Sequence, residues 1–300
     1  MFTQEEAQPM KTHDNARLRV VFEDLQSTLS DFALKHDITP KEFQLAIDTV
    51  AQLVKAGDLP VAALTFFSFN VAVADQGRAY LNPEKDGASP WLPIGPAYVE
   101  GAPLLERPYV LPMRPDEPGE PLIVSGQVRS TDGTPVADAE LDLWMTNNAG
   151  DYSGLTSERL APLVIELDES LPTYNLRAKI RTDEDGRYEY RAVMPGLENL
   201  GIPQGGPLDR LYRALGMVEV RPLHIHAIVT ANGFHTLTTQ YHFSGDPAIG
   251  HTSEPLSTPD ATVFDTQFHD DPAELKAAGL DVPYYTMTLD YVIRSTTVHA

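Results

Sequence analysis

Cysteine is absent from the 300 residues, which excludes disulfides, thiolate metal sites and a cysteine nucleophile. Basic residues are scarce: 22 Lys and Arg stand against 43 Asp and Glu, a formal net charge of −21. Such a balance repels the phosphates of nucleic acids and anionic lipids, and no Lys/Arg cluster forms a local basic stripe, so neither partner is expected. A small neutral organic substrate is the partner this field opposes least. Long apolar runs are missing as well. The best candidate, Val61 to Ala74, is broken by Thr65, Ser68 and Asn70 and falls short of the roughly 18 apolar residues a membrane helix needs. Glu5 and Glu6 stand where a secretory signal would carry a basic start, so a cytoplasmic location is expected. No G-x-S-x-G, P-loop or G-x-G-x-x-G occurs, which disfavours serine hydrolase and nucleotide-binding chemistry.

What is present divides into three textures. Leu18, Val21, Phe22, Leu25, Leu29 and Phe32 recur on a 3.6-residue period and predict an amphipathic helix over 15–36. Thr39-Pro40-Lys41-Glu42 then supplies a capping hydroxyl, a proline suited to the first helical turn and a glutamate that closes a capping box; Gly57 is placed to end this second helix. A third, buried helix is expected from Pro60 to about Asp75. Proline density from Asn82 to Pro121, with Pro90, Pro93, Pro96, Pro103, Pro108, Pro112 and Pro115, excludes helix and central strand and predicts an extended connector. Beyond it the apolar period becomes two. Turn signals at Asp132-Gly133, Asp185-Gly186 and Asn232-Gly233 predict three hairpins of a β-sandwich. The expected class is α+β: an N-terminal helical domain over 1–81, a connector over 82–121 and an antiparallel β-sandwich over 122–300.

The sharpest local feature is Arg221-Pro222-Leu223-His224-Ile225-His226. Residues two apart on a strand share a face, so His224 and His226 would present two imidazoles together, the spacing of metal ligands as well as of two ordinary surface histidines. Context decides. From Pro93 to Gly245 the sequence resembles the intradiol ring-cleavage dioxygenases, most closely their catechol 1,2- and hydroxyquinol 1,2-dioxygenase branch. The resemblance is carried by Ile94-Gly95-Pro96-Ala97-Tyr98, by Gly126-x-Val128 with Asp132-Gly133-x-Pro135-Val136, by Leu143-Trp144 and Gly150-x-Tyr152, by Asn175-Leu176-Arg177 with Thr182-Asp183 and Gly186-x-Tyr188, and by Arg221-Pro222-x-His224-x-His226 with Leu237-Thr238-Thr239-Gln240 and Gly245-Asp246.

The resemblance implies a mononuclear non-haem iron, Fe(III), held by tyrosinates and histidines, and insertion of O₂ between the hydroxylated carbons of an aromatic diol to give a muconate-type diacid. Hard phenolate oxygens suit Fe(III) and neutral imidazoles add no charge. His224, His226 and Tyr152 match three of the four ligands. Arg221 matches an arginine that lies over the substrate, and Gln240 a polar neighbour of the same site. Ile202, Ile94 and Val73 match pocket positions. The helical N-terminal third matches a region through which the family dimerises, so a homodimer is expected.

The departure lies at the second tyrosine. Leu200-Gly201-Ile202-Pro203-Gln204-Gly205-Gly206-Pro207 fits the motif that carries it, with Leu200 in the tyrosine's place, and no tyrosine occurs between Tyr190 and Tyr212. Leucine cannot ligate a metal; Glu198 and Asn199 are the nearby oxygen donors. With one phenolate fewer the site drifts toward divalent metal, so Fe(II) or zinc and altered chemistry stand beside the iron dioxygenase as a second reading. A non-catalytic β-sandwich module is the third.

Overall fold

The computed structural model describes residues 12–68, 71, 87–156, 168, 170–252 and 260–296. Two compact units, Met1–Val54 and Lys55–Ala300, divide the chain. In the first, α1 spans Thr12–Lys35 and α2 starts at Pro40, running to Ala56. The capping box forms as expected: the Thr39 amide donates to Glu42 Oε2 at 2.8 Å and the Glu42 amide donates to Thr39 Oγ1 at 3.3 Å. Gly57 at φ +83° ends the helix. The stripe Leu18, Val21, Phe22, Leu25, Leu29 and Phe32 is exposed.

The second unit opens with α3 (Leu59–Ala63), which runs directly into a π-helical turn, Leu64–Ser68. The predicted third helix therefore begins where expected; residues 69–70 and 72–75, Val73 included, lie outside the described residues.

Two sheets face each other. With strands numbered in chain order, the first runs β1 (Tyr109–Val110), β5 (Arg187–Val193), β2 (Pro121–Ser130), β12 (Tyr284–Thr288) and β11 (Thr266–His269), and β13 (Tyr291–Ile293) also pairs with β2. The second runs β10 (Val263–Phe264), β9 (Leu237–Phe243), β8 (His224–Thr230), β3 (Glu140–Trp144) and β4 (Arg177–Arg181). A small ribbon pairs β6 (Glu198–Asn199) with β7 (Val220–Arg221). Helices α4 (Pro207–Leu215) and α5 (Pro272–Ala278) fill connections. The ladders are mixed: β2·β5, β3·β4, β3·β8 and β8·β9 are antiparallel, whereas β1·β5, β2·β12, β2·β13 and β9·β10 are parallel. The parallel partners are returned by longer connections, which a tight turn cannot make.

Only the Asn232-Gly233 turn joins neighbouring strands, β8 and β9. The turns at Asp132-Gly133 and Asp185-Gly186 correct the hairpin expectation, because each carries the chain from one sheet to the other: β2 to β3 and β4 to β5 lie in different sheets. Alternation reads the same in both cases. In a hairpin the apolar residues would lie side by side; here Leu122, Val124 and Val128 of β2 and Leu141 and Leu143 of β3 line opposite sheets and meet in one core.

On β3, which carries Trp144, and β8, which carries the histidine pair, alternation in burial disappears. Four of the five residues of β3 are buried and β8 begins with four consecutive buried residues. Their apolar residues, such as Leu143, Ile225 and Ala227, join the core, while Trp144, His224 and His226 point away from it and are buried as well. The proline-rich segment covers that outer face: Leu92 N donates to Thr238 O at 2.8 Å, and a Cβ on Gly95 would sit 3.9 Å from His226 Cε1. Polar side chains aimed outward yet buried mark a site.

Candidate metal centre

Register aligns the site across four strands. Arg177 of β4 pairs with Trp144 of β3, Trp144 with His226 of β8, and His226 with Gln240 of β9; two residues along, His224 pairs with His242. Cross-strand partners share a face, so the row projects together toward the covering segment.

Tyr152 comes from the loop after β3, and Asn147 shapes that loop. Its Oδ1 accepts from the amides of Ala149 (3.0 Å) and Asp151 (2.9 Å), and its own amide donates to Asp151 O at 2.9 Å. Gly150 holds φ +94°, and a Cβ there would meet Leu197 O at 2.1 Å, so only glycine fits.

Three polar atoms converge at the centre. The Tyr152 hydroxyl lies 2.9 Å from His224 Nε2 and 3.0 Å from His226 Nε2, and the two Nε2 atoms are 3.0 Å apart. Among the described residues no three His, Cys, Asp or Glu side chains gather to hold a metal, so the phenol completes this set. The fit to a metal is good on three counts. Donor atoms bonded at about 2.1 Å and meeting near right angles are spaced like this triangle. His224 Nδ1 lies 2.7 Å from Pro222 O, an acceptor, so Nδ1 carries the hydrogen and Nε2 offers its lone pair. Two imidazole nitrogens and a phenol oxygen this close together in a dry site can all be engaged at once by a single cation.

Electrostatics prepare the donors. Burial, then the nearby Arg221, holds His224 well below the ordinary histidine range; burial, His224 and Arg221 do the same for His226. Both imidazoles are neutral, as metal ligands must be. Burial and then Glu198 push the Tyr152 phenol well above its usual range, while the guanidiniums of Arg221 and Arg177 pull the other way. Arg177 stands 5.5 Å from the Tyr152 ring centroid and donates to Ser153 O from Nη2 at 2.7 Å.

Arg221 and Gln240 stand beside this centre. Arg221 Nη1 lies 2.9 Å from Glu198 Oε2 and 3.1 Å from His224 Nε2, and its Nη2 donates to Gln240 Oε1 at 2.7 Å. Gln240 Nε2 donates in turn to Pro93 O at 3.0 Å. Arg221 thus combines an ion pair with Glu198 and a place beside the His224 nitrogen. Leu200 and Ile202 are buried apolar residues, whereas Ile94, next to the Gly95 that passes His226, is 38% exposed. Val73 is not among the described residues.

Sequence reasoning left Arg177, Trp144 and His242 without a role. Trp144 stacks on His226 with centroids 4.6 Å apart, and the His242 ring centroid lies 5.7 Å from that of His224. The signal that could have found Arg177 and Trp144 is strand register, which needs the pairing of β4, β3 and β8 rather than any local motif.

The family described as dioxygenase matches residues 94–278. The chain is 34% identical over 238 residues to a chlorocatechol 1,2-dioxygenase of Rhodococcus opacus, covering 78% of this chain and 84% of that one. It is 32% identical over 240 residues to a hydroxyquinol 1,2-dioxygenase of Rhizobium sp. (strain MTP-10005), covering 80% and 76%. The structure of catechol 1,2-dioxygenase from Acinetobacter radioresistens superposes with a TM-score of 0.69 at 25% identity, over 98% of this chain and 90% of that chain.

Proposed function

This chain belongs to the intradiol ring-cleavage dioxygenases, and we propose that it inserts O₂ between the hydroxylated carbons of an aromatic 1,2-diol, a catechol or hydroxyquinol-like ring, to give a muconate-type diacid. Tyr152, His224 and His226 hold the non-haem iron of that family. The observation that carries the reading is the convergence of the Tyr152 hydroxyl and both Nε2 atoms within 3.0 Å of one another.

Bound there, iron supplies the Lewis-acid and redox chemistry by which a diol and O₂ combine. The chain's own residues do the rest. Burial keeps His224 and His226 neutral, so they donate without adding charge. Arg221 offers a fixed positive charge to the diol as it ionises and as negative charge spreads through the ring. Gln240 aims that guanidinium through Nη2 and is itself held by the Pro93 carbonyl, so the arginine costs little reorganisation during reaction. The segment around Leu92 to Gly95 screens the centre from water, and Ile202 and Leu200 offer apolar walls to an aromatic ring. Val73 and Ile94 complete the proposed pocket.

The test is anaerobic addition of catechol to iron-loaded protein, followed by air. Expected are a catecholate-to-iron absorption band and consumption of O₂ in step with muconate formation. Protein that binds iron but gives neither band nor O₂ uptake would overturn the activity. Tightly held zinc, with iron excluded, would favour the divalent site that Leu200 suggests.

For the assembly we propose a homodimer through α1 and α2, supported by the exposed stripe from Leu18 to Phe32 and by Phe43, Ile47, Val50 and Val54 on α2, all exposed in the single chain. Sedimentation velocity of Phe22→Asp should then show monomer where the parent chain shows dimer. Among the described residues no helix is long and apolar enough to cross a membrane.

A further inference from the structure

Leu200 leaves the centre with one phenol where its relatives' motif carries a second, and the carboxylate of Glu198 stands two residues earlier. Glu198 Oε2 lies 3.6 Å from His224 Nε2 and 2.9 Å from Arg221 Nη1. Its side chain is 15% exposed, and its charge is near enough to raise the Tyr152 phenol. A mostly buried carboxylate with one oxygen 3.6 Å from a ligand nitrogen stands at the edge of the centre, outside the converged triad but within a short side-chain movement of it.

The backbone delivers it there firmly. Glu198 pairs with Arg221 across the β6·β7 ribbon. The segment just before it is locked to the loop that carries Tyr152: Gly196 N donates to Asn147 O at 2.7 Å and Thr146 Oγ1 donates to Gly196 O at 2.9 Å. The approach leaves no room for side chains on either partner, since a Cβ on Gly150 would meet Leu197 O at 2.1 Å and one on Gly196 would meet Asn148 O at 2.3 Å. Tyr152 and Glu198 are therefore presented by one interlocked pair of loops.

We propose that Glu198 is a fourth protein donor to the metal, supplying the anionic oxygen that Leu200 withholds. The inference rests on the iron reading of Tyr152, His224 and His226. A carboxylate is a hard oxygen donor suited to Fe(III), as a phenolate is. A trivalent ion with one phenolate and one carboxylate keeps one positive charge, the count given by two phenolates; with Leu200 and no carboxylate it would keep two. Glu198 thus restores the charge balance that holds the trivalent state, and does so without a second phenolate-to-iron absorption.

The alternative is that Glu198 serves only as the ion-pair partner of Arg221, and Glu198→Gln separates the two, because glutamine still accepts from Arg221 but is a poor metal donor. The probes are ferric and zinc salts, with affinity read by chelator competition and the phenolate read by resonance Raman. Expected for Glu198→Gln is a loss of iron affinity of about 10- to 100-fold or more with the Tyr152 phenolate signal retained. Adding Leu200→Tyr in that background should recover affinity and add phenolate intensity. Wild-type affinity in Glu198→Gln would overturn the inference and leave the metal reading standing. Failure of the parent chain to bind iron or zinc, unchanged by Tyr152→Phe, would overturn both. Should the glutamine variant not fold, the parent chain still decides: anomalous diffraction from iron-soaked crystals must find the Glu198 carboxylate within bonding distance of the metal, and a carboxylate beyond that distance overturns the inference.

Discussion

Trp144 lies flat against His226, their ring centroids 4.6 Å apart and their planes within 6°. This stack orients the imidazole. His224 is fixed by the hydrogen bond from Nδ1 to Pro222 O, but His226 Nδ1 is buried without a hydrogen-bond partner among the described residues. Trp144 is in turn braced by Tyr98, edge-on at 5.0 Å, whose hydroxyl donates to Asp142 Oδ2 at 2.9 Å. Trp144→Leu should cost about 3 kcal/mol of stability and, separately, about tenfold in metal affinity. Trp144→Phe, which keeps a ring, should lose less of the affinity. Equal metal affinity in all three proteins would show that packing elsewhere orients His226.

Arg177 acts on the phenol as well as adding to the charges that hold His226 down. Its guanidinium, 5.5 Å from the Tyr152 ring centroid, lowers the energy of the phenolate, opposing burial and Glu198. Arg177→Met should move the pH at which the phenolate-to-iron band develops upward by about one to two units. Arg177→Lys keeps the charge and should return most of that shift. A band that develops at the same pH in the methionine variant would remove Arg177 from the account.

Gly150→Ala tests the interlocked loops. The position combines φ +94° with a carbonyl oxygen, Leu197 O, where the new methyl must go. Backbone must move, so a loss of about 3 kcal/mol or more is expected, seen as a lower urea midpoint with little change in slope. Gly133→Ala, also at positive φ but with nothing within 4 Å, should cost only about 1–2 kcal/mol. Similar costs at the two sites would mean that the loops are not locked by close approach.

The histidine pair was legible because strand spacing of two puts His224 and His226 on one face whatever else the fold does. The capping box at Thr39 and Glu42 was legible for the same local reason. Tyr152 lies in a loop, where no period constrains direction, and only the resemblance singled it out. The turns at Asp132-Gly133 and Asp185-Gly186 misled, since a sharp reversal between two alternating segments describes a hairpin and a passage between facing sheets equally well. Arg177, Trp144 and His226 meet through the register of three strands that are distant in sequence, which no local pattern encodes. Glu198 was visible as a nearby oxygen donor, but its approach to His224 depends on the two-residue β6·β7 ribbon.

Acid should destabilise the metal-free protein through its buried imidazoles. Burial, then Arg221, holds His242 down to about 3, and His224 and His226 are also held well below the ordinary value of 6.5. A histidine whose folded value is depressed contributes stability that is present above about 6.5 and is lost as pH falls below it, because the unfolded chain takes up the proton first. Between pH 7 and pH 5 the loss is about 2 kcal/mol for a histidine that stays neutral in the fold. Glu219 runs the other way: burial and Asp209 push it up to about 7, so the fold binds its proton first and stability falls as pH rises from 4.5 toward that value. The two effects are separated by difference. Urea unfolding at pH 7 and pH 5 should show His242→Gln losing about 2 kcal/mol less than the parent chain, with the Glu219 contribution common to both. An identical loss in parent and variant would mean that His242 takes up a proton within the fold over that range.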